Sequence, residues 1–212
     1  MESVSAIGEK IFMIEITKEI IENVLTSLYQ PFGFSVILAV LVMFFYLSVR
    51  EQGLRTVIQH WITEFKTSSG FRRIFVLVFY VAMILFRTLL NRNMWGNPVE
   101  NVIGIWGLHN QNGEMTTEVI ENLALFLPFT ILLLWSFRKK LLREEVKFLG
   151  TIWQSVKIVF LFSLAIEFSQ LFFRLGTFQL SDLFYNTLGG FVGGLIYWCG
   201  YKLTNRKAKG SK

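Results

Sequence analysis

Residues 31–49 read PFGFSVILAVLVMFFYLSV, an apolar run that contains no charged side chain. A helix of roughly 20 apolar residues crosses a hydrocarbon core about 30 Å thick, so this run predicts a transmembrane helix. Four more apolar runs follow, each with polar residues inside it or at its edge: 74–90, 119–137, 152–173 and 183–201. Together the five runs predict an all-α fold, a polytopic transmembrane helix bundle.

The composition excludes several classes of protein. The 212-residue chain is 53% hydrophobic with a mean hydropathy of +0.49, which does not fit a soluble globular protein. Its net charge of +6 comes largely from basic residues in short connections between the apolar runs. That distribution is typical of membrane topology and of contact with anionic lipid, so we expect no nucleic-acid partner. The single cysteine, Cys199, allows no internal disulfide.

The even spacing of the apolar runs indicates one transmembrane domain, residues 31–212, after an N-terminal amphipathic segment, residues 1–30. This segment mixes acidic, basic and apolar residues and has no continuous apolar core, so it does not resemble a cleavable signal peptide. The first and third connections and the C-terminal tail are rich in Lys and Arg, whereas the second has only Arg92 and the fourth only Arg174. Short basic connections stay in the cytoplasm, which predicts the N-terminus outside and the C-terminus inside.

Two segments have apolar residues near helical spacing and predict helices that lie in the membrane interface. The first stripe comprises Ile11, Phe12, Ile16, Ile20, Val24 and Leu28, and the second Leu54, Val57, Ile58, Trp61, Ile62 and Phe65. The long connection 91–117 is partly apolar but too short and too polar to span. It is predicted to lie at the outer side, and whether it re-enters the membrane is left open.

Polar side chains within the predicted spans are the candidate functional residues. Ionisable groups in a membrane are costly and persist mainly where they face the bundle or a water-filled cavity. With the predicted orientation, all of them fall in the outer half of the membrane, so the sequence predicts one outer ligand-binding site. Glu167 and Asp182 are also the candidate catalytic groups. The predicted site residues are Arg87, Glu121, Asn122, Glu167, Gln170, Asp182 and Asn186.

Several residues are predicted to have structural roles. Gly190 and Gly194 continue the helix face of Asp182 and Asn186, and Gly189 and Gly193 form a second pair beside it. Small residues four apart allow a neighbouring helix to approach the backbone closely. Pro128 predicts a kink in the third span.

The polar residues also have alternative explanations that are purely structural. Glu118 and Glu121 are acids in the first turn of a helix, where they favour its N-terminus, and Thr116 or Thr117 would be the cap. Asp182 with Ser181 could cap the fifth span, and an amide such as that of Asn186 could hold two helices together.

Three segments carry a resemblance to the VanZ family. Residues 121–129 read ENLALFLPF, residues 163–170 read SLAIEFSQ, and residues 182–193 read DLFYNTLGGFVG. They resemble the family patterns E/D-N-x-x-x-F-x-P-F-G, S-x-x-x-E-x-x-Q and D-x-x-x-N-T-x-G-G-x-x-G, in the same order and at the same spacing. The VanZ-like core covers residues 118–201. Two positions depart from the family: Thr130 replaces the glycine after Pro-Phe, and Ser181 stands where many members have a second Asp.

The resemblance implies a multi-pass protein of the bacterial plasma membrane, in the cell envelope of a Gram-positive bacterium. It also implies a link to resistance to glycopeptide antibiotics of the teicoplanin type. Such drugs act on peptidoglycan precursors outside the membrane, which agrees with an outward polar site. The resemblance gives a phenotype rather than a chemical mechanism.

Two functions follow from these residues. In the first, the outer site binds a lipid or a cell-wall precursor or shields it from the drug, with Arg87, Arg92 and Arg174 available for phosphate. The expected partners are membrane lipid and a lipid-linked cell-wall precursor or lipoglycopeptide. In the alternative, a membrane-embedded enzyme modifies such an intermediate, with Glu167 as general base.

We expect no cofactor and no metal site. His60 and His109 are predicted on opposite sides of the membrane, and a site of Asp, Glu and Asn would hold Mg²⁺ only with help from substrate phosphates. A transporter is disfavoured because the polar cluster is one-sided and no inverted repeat is found. The oligomeric state is left open.

Overall fold

The computed structural model describes residues 2–48, 53–92, 94, 96–109, 113–142 and 146–210, and the side chains of these residues except 2–12, 27–28 and 206–210. In this part of the chain the structure is helical, and the sole β-type pairing is an isolated bridge between His109 and Met115. The helices are α1 Glu2–Tyr29, α2 Phe32–Ser48, α3 Leu54–Thr67, α4 Ser69–Leu85, α5 Glu118–Leu142, α6 Phe148–Phe173 and α7 Leu180–Gly210. A π-helical segment, Phe86–Leu90, continues α4.

Three of the described helical segments are long and apolar enough to cross a membrane: Ser69–Leu90, Glu118–Leu142 and Phe148–Phe173. The helix α2 is equally apolar in character but shorter, with 17 residues. The helix α7 has 31 residues, but its glycines and polar side chains dilute its apolar character. The chain is therefore a helical membrane protein, as its sequence predicts. Val49, the last residue of the first predicted span, lies outside the described residues.

The main apolar core lies between α4, α5 and α6. Tyr80 and Ile84 of α4, Phe126 of α5, and Val159 and Ile166 of α6 belong to one buried cluster. The helix α7 lies along both α5 and α6 and has its most extensive contacts with them. The four helices thus form a bundle in which α7 is held on two sides.

A second apolar cluster joins α2, α3 and α4. Val57 of α3 is buried against it, and Trp61 stacks on Phe65 with ring centroids 5.1 Å apart. Three other residues of the same predicted stripe, Leu54, Ile58 and Ile62, are exposed. The stripe that the sequence predicts as one interfacial face is therefore divided between the bundle and the surface. The single residue Ser68 links α3 to α4, and its hydroxyl accepts a hydrogen bond from the Phe71 N–H at 3.2 Å.

The first helix is continuous from Glu2 to Tyr29 and touches the bundle near its C-terminal end. Ile16, Ile20 and Val24, from the predicted apolar stripe, are partly covered. The side chains of the other members of that stripe, Ile11, Phe12 and Leu28, lie outside the described residues. A second set of apolar residues on α1 is exposed: Met13, Ile14, Ile21 and Leu25.

One pair of glycines in α7 faces α5. A Cβ atom on Gly189 would overlap the backbone carbonyl of Leu123, and one on Gly193 would lie 2.6 Å from the carbonyl oxygen of Leu127. Real Cβ contacts do not become this short, so α5 and α7 approach each other through their backbones.

The other pair of glycines faces α6. A Cβ atom on Gly190 would lie 2.6 Å from a methyl carbon of Val159, and one on Gly194 would lie 2.9 Å from the Cβ of Ser155. The neighbour here is a side chain rather than a backbone. The two overlapping glycine pairs thus serve two different helix contacts.

The backbone of α5 stays helical through Pro128, and its departure from helical angles is at Phe137, with φ −114° and ψ 25°. The kink therefore lies nine positions beyond the one that the sequence predicts. Proline removes the hydrogen bond to the residue four positions earlier, and neighbouring groups can compensate within a membrane helix. Near this proline, the Tyr80 hydroxyl of α4 donates to the carbonyl oxygen of Leu125 at 3.0 Å, which ties α4 to α5 one position beyond the carbonyl that Pro128 leaves free.

Candidate functional site

The π-helical segment at the end of α4 carries one predicted site residue, Arg87, and binds the side chain of a second, Gln170 of α6. Its wider turn is closed by the Asn91 N–H, which donates to the Phe86 carbonyl oxygen at 2.8 Å. The backbone carbonyl of Thr88 accepts a hydrogen bond from the Gln170 side-chain amide of α6 at 2.9 Å. Single π turns are frequent at functional sites because they free backbone groups for other partners. The same segment carries Arg87.

Arg87 forms an ion pair with Glu121 in the first turn of α5. The side chains are about one fifth exposed, at 21% for Arg87 and 16% for Glu121. The Thr117 hydroxyl donates to the second carboxylate oxygen of Glu121, and the Asn23 amide of α1 donates to the Thr117 oxygen at 2.9 Å. This chain of contacts joins α1 and α5 to the end of α4.

Glu167 lies on α6 and is only 1% exposed. One of its carboxylate oxygens accepts a hydrogen bond from the backbone N–H of Gln179 at 2.9 Å. Gln179 directly precedes α7, so this carboxylate lies at the N-terminus of that helix, where negative charge is favoured. Neither Glu167 nor Asp182 forms an ion pair with any described Lys or Arg.

Asp182 and Asn186 occupy the first two turns of α7. The Asn122 amide of α5 donates to the Asp182 carboxylate at 2.7 Å. The Asn186 amide donates to the Ser163 hydroxyl of α6 at 2.9 Å, and both of these side chains are buried. The start of α7 is thus hydrogen-bonded to both helices against which its glycines lie.

Two buried amide oxygens, Oδ1 of Asn186 and Oε1 of Gln170, have no hydrogen-bond partner among the described residues. Buried polar atoms almost always have a partner, so each exception needs an explanation. The side-chain nitrogen of each amide already donates a hydrogen bond: that of Asn186 to the Ser163 hydroxyl and that of Gln170 to the Thr88 carbonyl. Their free oxygens are acceptors that could take a hydrogen bond from a ligand or a water molecule.

The connection before α5 covers the start of α7. The N–H groups of Phe178 and Leu180 donate to the carbonyl oxygens of Pro98 and Val102 at 2.9 and 2.8 Å. Gly104 has φ +76°, and a Cβ there would collide with the Ser181 hydroxyl.

The indole of Trp106 lies against Phe184 and Tyr185, with ring centroids 5.2 and 5.8 Å apart. The connection before α5 therefore covers the polar end of the bundle where α7 begins. In the same connection, Asn93, Trp95 and residues 110–112 lie outside the described part of the chain.

Acidic side chains outnumber basic side chains among the described residues of this region. Arg92 lies within electrostatic range of Glu118, Glu167 and Asp182, and Arg87 within range of Glu118 and Asp182. With Glu121, the group contains four carboxylates and two guanidinium groups among the described residues. Glu167 and Asp182 are buried, and a buried carboxylate is costly when it is charged. A cation, a proton or a ligand with hydrogen-bond donors would lower that cost.

A cleft of about 370 Å³ opens beside the ion pair. Both arginines line it, together with Glu121 and with residues at the end of α1, the start of α2 and the π-helical segment: Asn23, Thr26, Gln30, Pro31, Phe86 and Asn91. A guanidinium group binds phosphate through two parallel hydrogen bonds, so this wall of the cleft suits an anionic group. The carboxylates and free amide oxygens suit donors such as hydroxyl and amine groups.

The structure brings all seven sequence-predicted site residues to one end of the bundle, in separate hydrogen-bonded groups. Five residues outside the predicted set of seven also lie at this end: Asn23, Arg92, Thr117, Glu118 and Ser163. Of these, Arg92 is predicted from the sequence to be available for phosphate, and Thr117 and Glu118 are predicted as parts of a helix N-terminus. Ser163 lies four residues before Glu167, on the same helix face, and that spacing could have indicated it. Asn23 belongs to a helix assigned to the interface, so no local signal placed it here.

The described residues contain no group of three or more His, Cys, Asp or Glu side chains arranged to hold a metal ion. The chemistry available at this end is therefore that of carboxylates, amides, hydroxyls and guanidinium groups. Such a set can bind a polar headgroup or move a proton.

Comparison with known proteins extends the similarity beyond the three motifs. The family model described as VanZ/LLP1 matches residues 32–202. Protein VanZ of Enterococcus faecium is 29% identical over 115 residues, covering 50% of this chain. The aligned part spans 65% of the length of that relative. No solved structure matches the chain.

Proposed function

Because the chain belongs to the VanZ/LLP1 family, we propose that it binds the headgroup of a lipid or lipid-linked cell-wall precursor at the polar end of its helix bundle. Binding would shield that molecule or withdraw it from a glycopeptide drug outside the bacterial plasma membrane. Tolerance of teicoplanin-type antibiotics is the proposed outcome in the cell.

The proposed topology has five spans, with the N-terminus outside and the C-terminus in the cytoplasm. Helices α2 and α7 would cross the membrane with the three longer apolar segments, and α1 and α3 would lie at its surfaces. Residues 1–30 would then act as a separate interfacial segment before the transmembrane domain, 31–212. The basic connections support this arrangement because short Lys- and Arg-rich segments stay in the cytoplasm.

Reporter fusions after Lys66 and Lys140 should be cytoplasmic, and a fusion after Gly113 should be external. An external fusion after Lys140 would exclude the five-span topology, because the polar end would then face the cytoplasm. Precursor binding from outside would be excluded with it.

The observation that carries the proposal is the excess of buried acceptors. Two amide oxygens without partners and two carboxylates without ion pairs lie at the start of α7 and on the α6 face beside it. A ligand rich in hydroxyl or amine donors would satisfy these groups. The cleft beside the ion pair, at the same end of the bundle, has Arg87 and Arg92 in its wall for a phosphate. A headgroup that combines phosphate with sugar or amine groups has both kinds of chemistry.

An enzyme that modifies such a molecule is the second candidate, and the environment of Glu167 favours it. This carboxylate is fully buried, has one oxygen held by a backbone N–H, and forms no ion pair with a described Lys or Arg. A carboxylate in such a place can accept a proton from a substrate hydroxyl. Asp182 would then orient the substrate rather than react.

Native mass spectrometry of extracted protein separates the two functions. For binding, we expect a 1:1 adduct with lipid or precursor in the wild-type protein, weakened in Arg92→Gln and Asp182→Asn. Arg55→Gln removes a positive charge from exposed α3 and is the matched control for the first variant. Conversion of the added lipid to a new mass would support the enzyme instead. An adduct that both variants retain at wild-type level would exclude this site as the place of binding.

A further inference from the structure

The end of the bundle opposite the polar cluster contains a second cleft, of about 520 Å³. It lies between the start of α4 and the second halves of α5 and α7. Its wall combines two arginines, Arg73 and Arg138, with aromatic residues and with isoleucines, and none of its lining residues is acidic. A volume of this size is typical of a small-molecule site.

The arginines are held against aromatic rings. The guanidinium carbon of Arg73 lies 5.3 Å from the ring centroid of Trp135, and that of Arg138 lies 5.6 Å from the ring of Tyr201. Arg73 also donates to the carbonyl and hydroxyl oxygens of Ser69. Neither arginine is in an ion pair with a described carboxylate. Two ordered positive charges therefore face this cleft without a counter-ion in the described part of the chain.

The polarity of the cleft changes along the helix axes. Arg138 lies near the end of α5, whereas Ile131, which also lines the cleft, lies about 10 Å further toward the middle of the membrane at 1.5 Å per residue. On α7, Ile196 likewise precedes Gly200 and Tyr201. The charged part of the cleft is thus at the end of the bundle and the apolar part is toward its centre. A phospholipid in the adjacent leaflet has the same order of phosphate and acyl chain.

We propose that this cleft binds one anionic phospholipid from the leaflet at this end of the bundle. Its phosphate would contact Arg138 and Arg73, and an acyl chain would lie along Ile131 and Ile196. Arginine and aromatic residues are enriched at membrane interfaces, and a basic side chain near the surface contributes about 1 kcal/mol to attraction of anionic lipid. Free phosphate would use only the charged half of the cleft. The proposal is independent of the function assigned to the polar end.

Gly200 allows the cleft to be filled without a clash. A Cβ atom built on this residue has no other atom within 4 Å, although the residue lines the cleft. Gly200→Leu should therefore occupy the lipid site and leave the helix contacts intact. Gly33→Leu is its control, because Gly33 is also on a helix with open space around it but lies on α2 outside the cleft.

The test is native mass spectrometry of the purified protein with phosphatidylglycerol and phosphatidylcholine of identical acyl chains. We expect a wild-type preference for phosphatidylglycerol and about a fivefold weaker adduct in Arg138→Gln, from ~1 kcal/mol per basic side chain. Lys139→Gln, one residue away and outside the cleft, should bind as the wild type does. Gly200→Leu should lose the adduct, and Gly33→Leu should retain it. An excess of inorganic phosphate should not displace the lipid.

Four results would each overturn the proposal. They are equal binding of the two lipids, equal loss in Arg138→Gln and Lys139→Gln, full binding by Gly200→Leu, and displacement by inorganic phosphate. Melting of each variant in detergent shows whether it is folded. Arg138 is exposed, so its substitution should not alter melting.

Discussion

The first two turns of α7 and the glycine-rich turns that follow differ in how they meet their neighbours. In the first two turns, Asp182 and Asn186 reach α5 and α6 through side-chain hydrogen bonds. In the glycine-rich turns, the four glycines have no side chain at the contact, so the backbone of α7 lies directly against the backbone of α5 and against side chains of α6. One helix therefore combines a close-packed segment with a polar one. The polar groups lie directly beside a contact in which helix backbones approach each other closely.

This difference predicts that substitutions in the glycine segment affect folding, while conservative substitutions in the polar segment affect function. The largest effect is expected for Gly193→Leu. Its side chain would enter the backbone of α5 at Leu127, and overpacking of this kind costs about 1–3 kcal/mol or more. Folded yield and melting temperature in detergent should both fall. Gly200→Leu, the same change in open space on the same helix, should melt as the wild type does; equal losses would remove the contrast between the two positions.

The two glycine pairs should respond differently to space made in the neighbouring helix. Gly190→Ala meets the Val159 side chain, so adding Val159→Ala should recover part of the lost stability. Gly189→Ala meets the Leu123 carbonyl, which Leu123→Ala leaves in place.

Coupling free energies for residues in contact reach about 0.5–3 kcal/mol. Double-mutant cycles on melting in detergent should therefore show coupling for the α6 pair and additivity for the α5 pair. Coupling of the same size in both cycles would mean that α7 does not meet α5 through its backbone.

The ion pair at the rim of the polar end should have an intermediate effect. Arg87→Gln leaves the Glu121 carboxylate without its partner, and a lost hydrogen bond to a charged group costs about 1–3 kcal/mol. Because each side chain is about one fifth exposed, we expect the lower part of that range. The double variant Arg87→Gln/Glu121→Gln should be more stable than Arg87→Gln alone. A double variant whose losses simply add would show that the two charges do not interact.

The smallest effect on stability and the largest on function are expected for Glu167→Gln. The glutamine oxygen can accept the same hydrogen bond from the Gln179 N–H, and removal of a buried charge lowers its desolvation cost. Melting should be unchanged or higher, while antibiotic tolerance in expressing cells should be lost. Glu19→Gln, at an exposed position on α1, is the matched control. Retained tolerance in Glu167→Gln, Asp182→Asn and Asn186→Ala together would mean that this cluster has no functional role.

The sequence alone determined the class of fold and the approximate ends of the membrane helices. The third apolar run, 119–137, lies within α5, Glu118–Leu142, and the fourth, 152–173, lies within α6, Phe148–Phe173. Whether a segment can cross the membrane depends on the length and hydrophobicity of that segment alone, so a local run of apolar residues is enough to predict the helix. The position of each polar residue along its predicted span, together with the alternating direction of the spans, predicted that these residues lie at a common end of the bundle.

The tertiary structure was needed to determine how each helix is rotated about its axis and which residues of other helices it contacts. No local pattern indicated which glycine pair faces α5 and which faces α6. Nor did any pattern indicate that Arg87 pairs with Glu121 or that Glu167 accepts a hydrogen bond from the residue before α7. The π turn after α4 and the kink at Phe137 also lacked a local signal.

A helix in a membrane satisfies its own backbone hydrogen bonds, so its existence is a local property. Its rotation about its axis depends on how the side chains of several helices fit together at once, and distant parts of the chain supply those side chains. For that reason the polar end could be located from the sequence, but its hydrogen-bond partners could not.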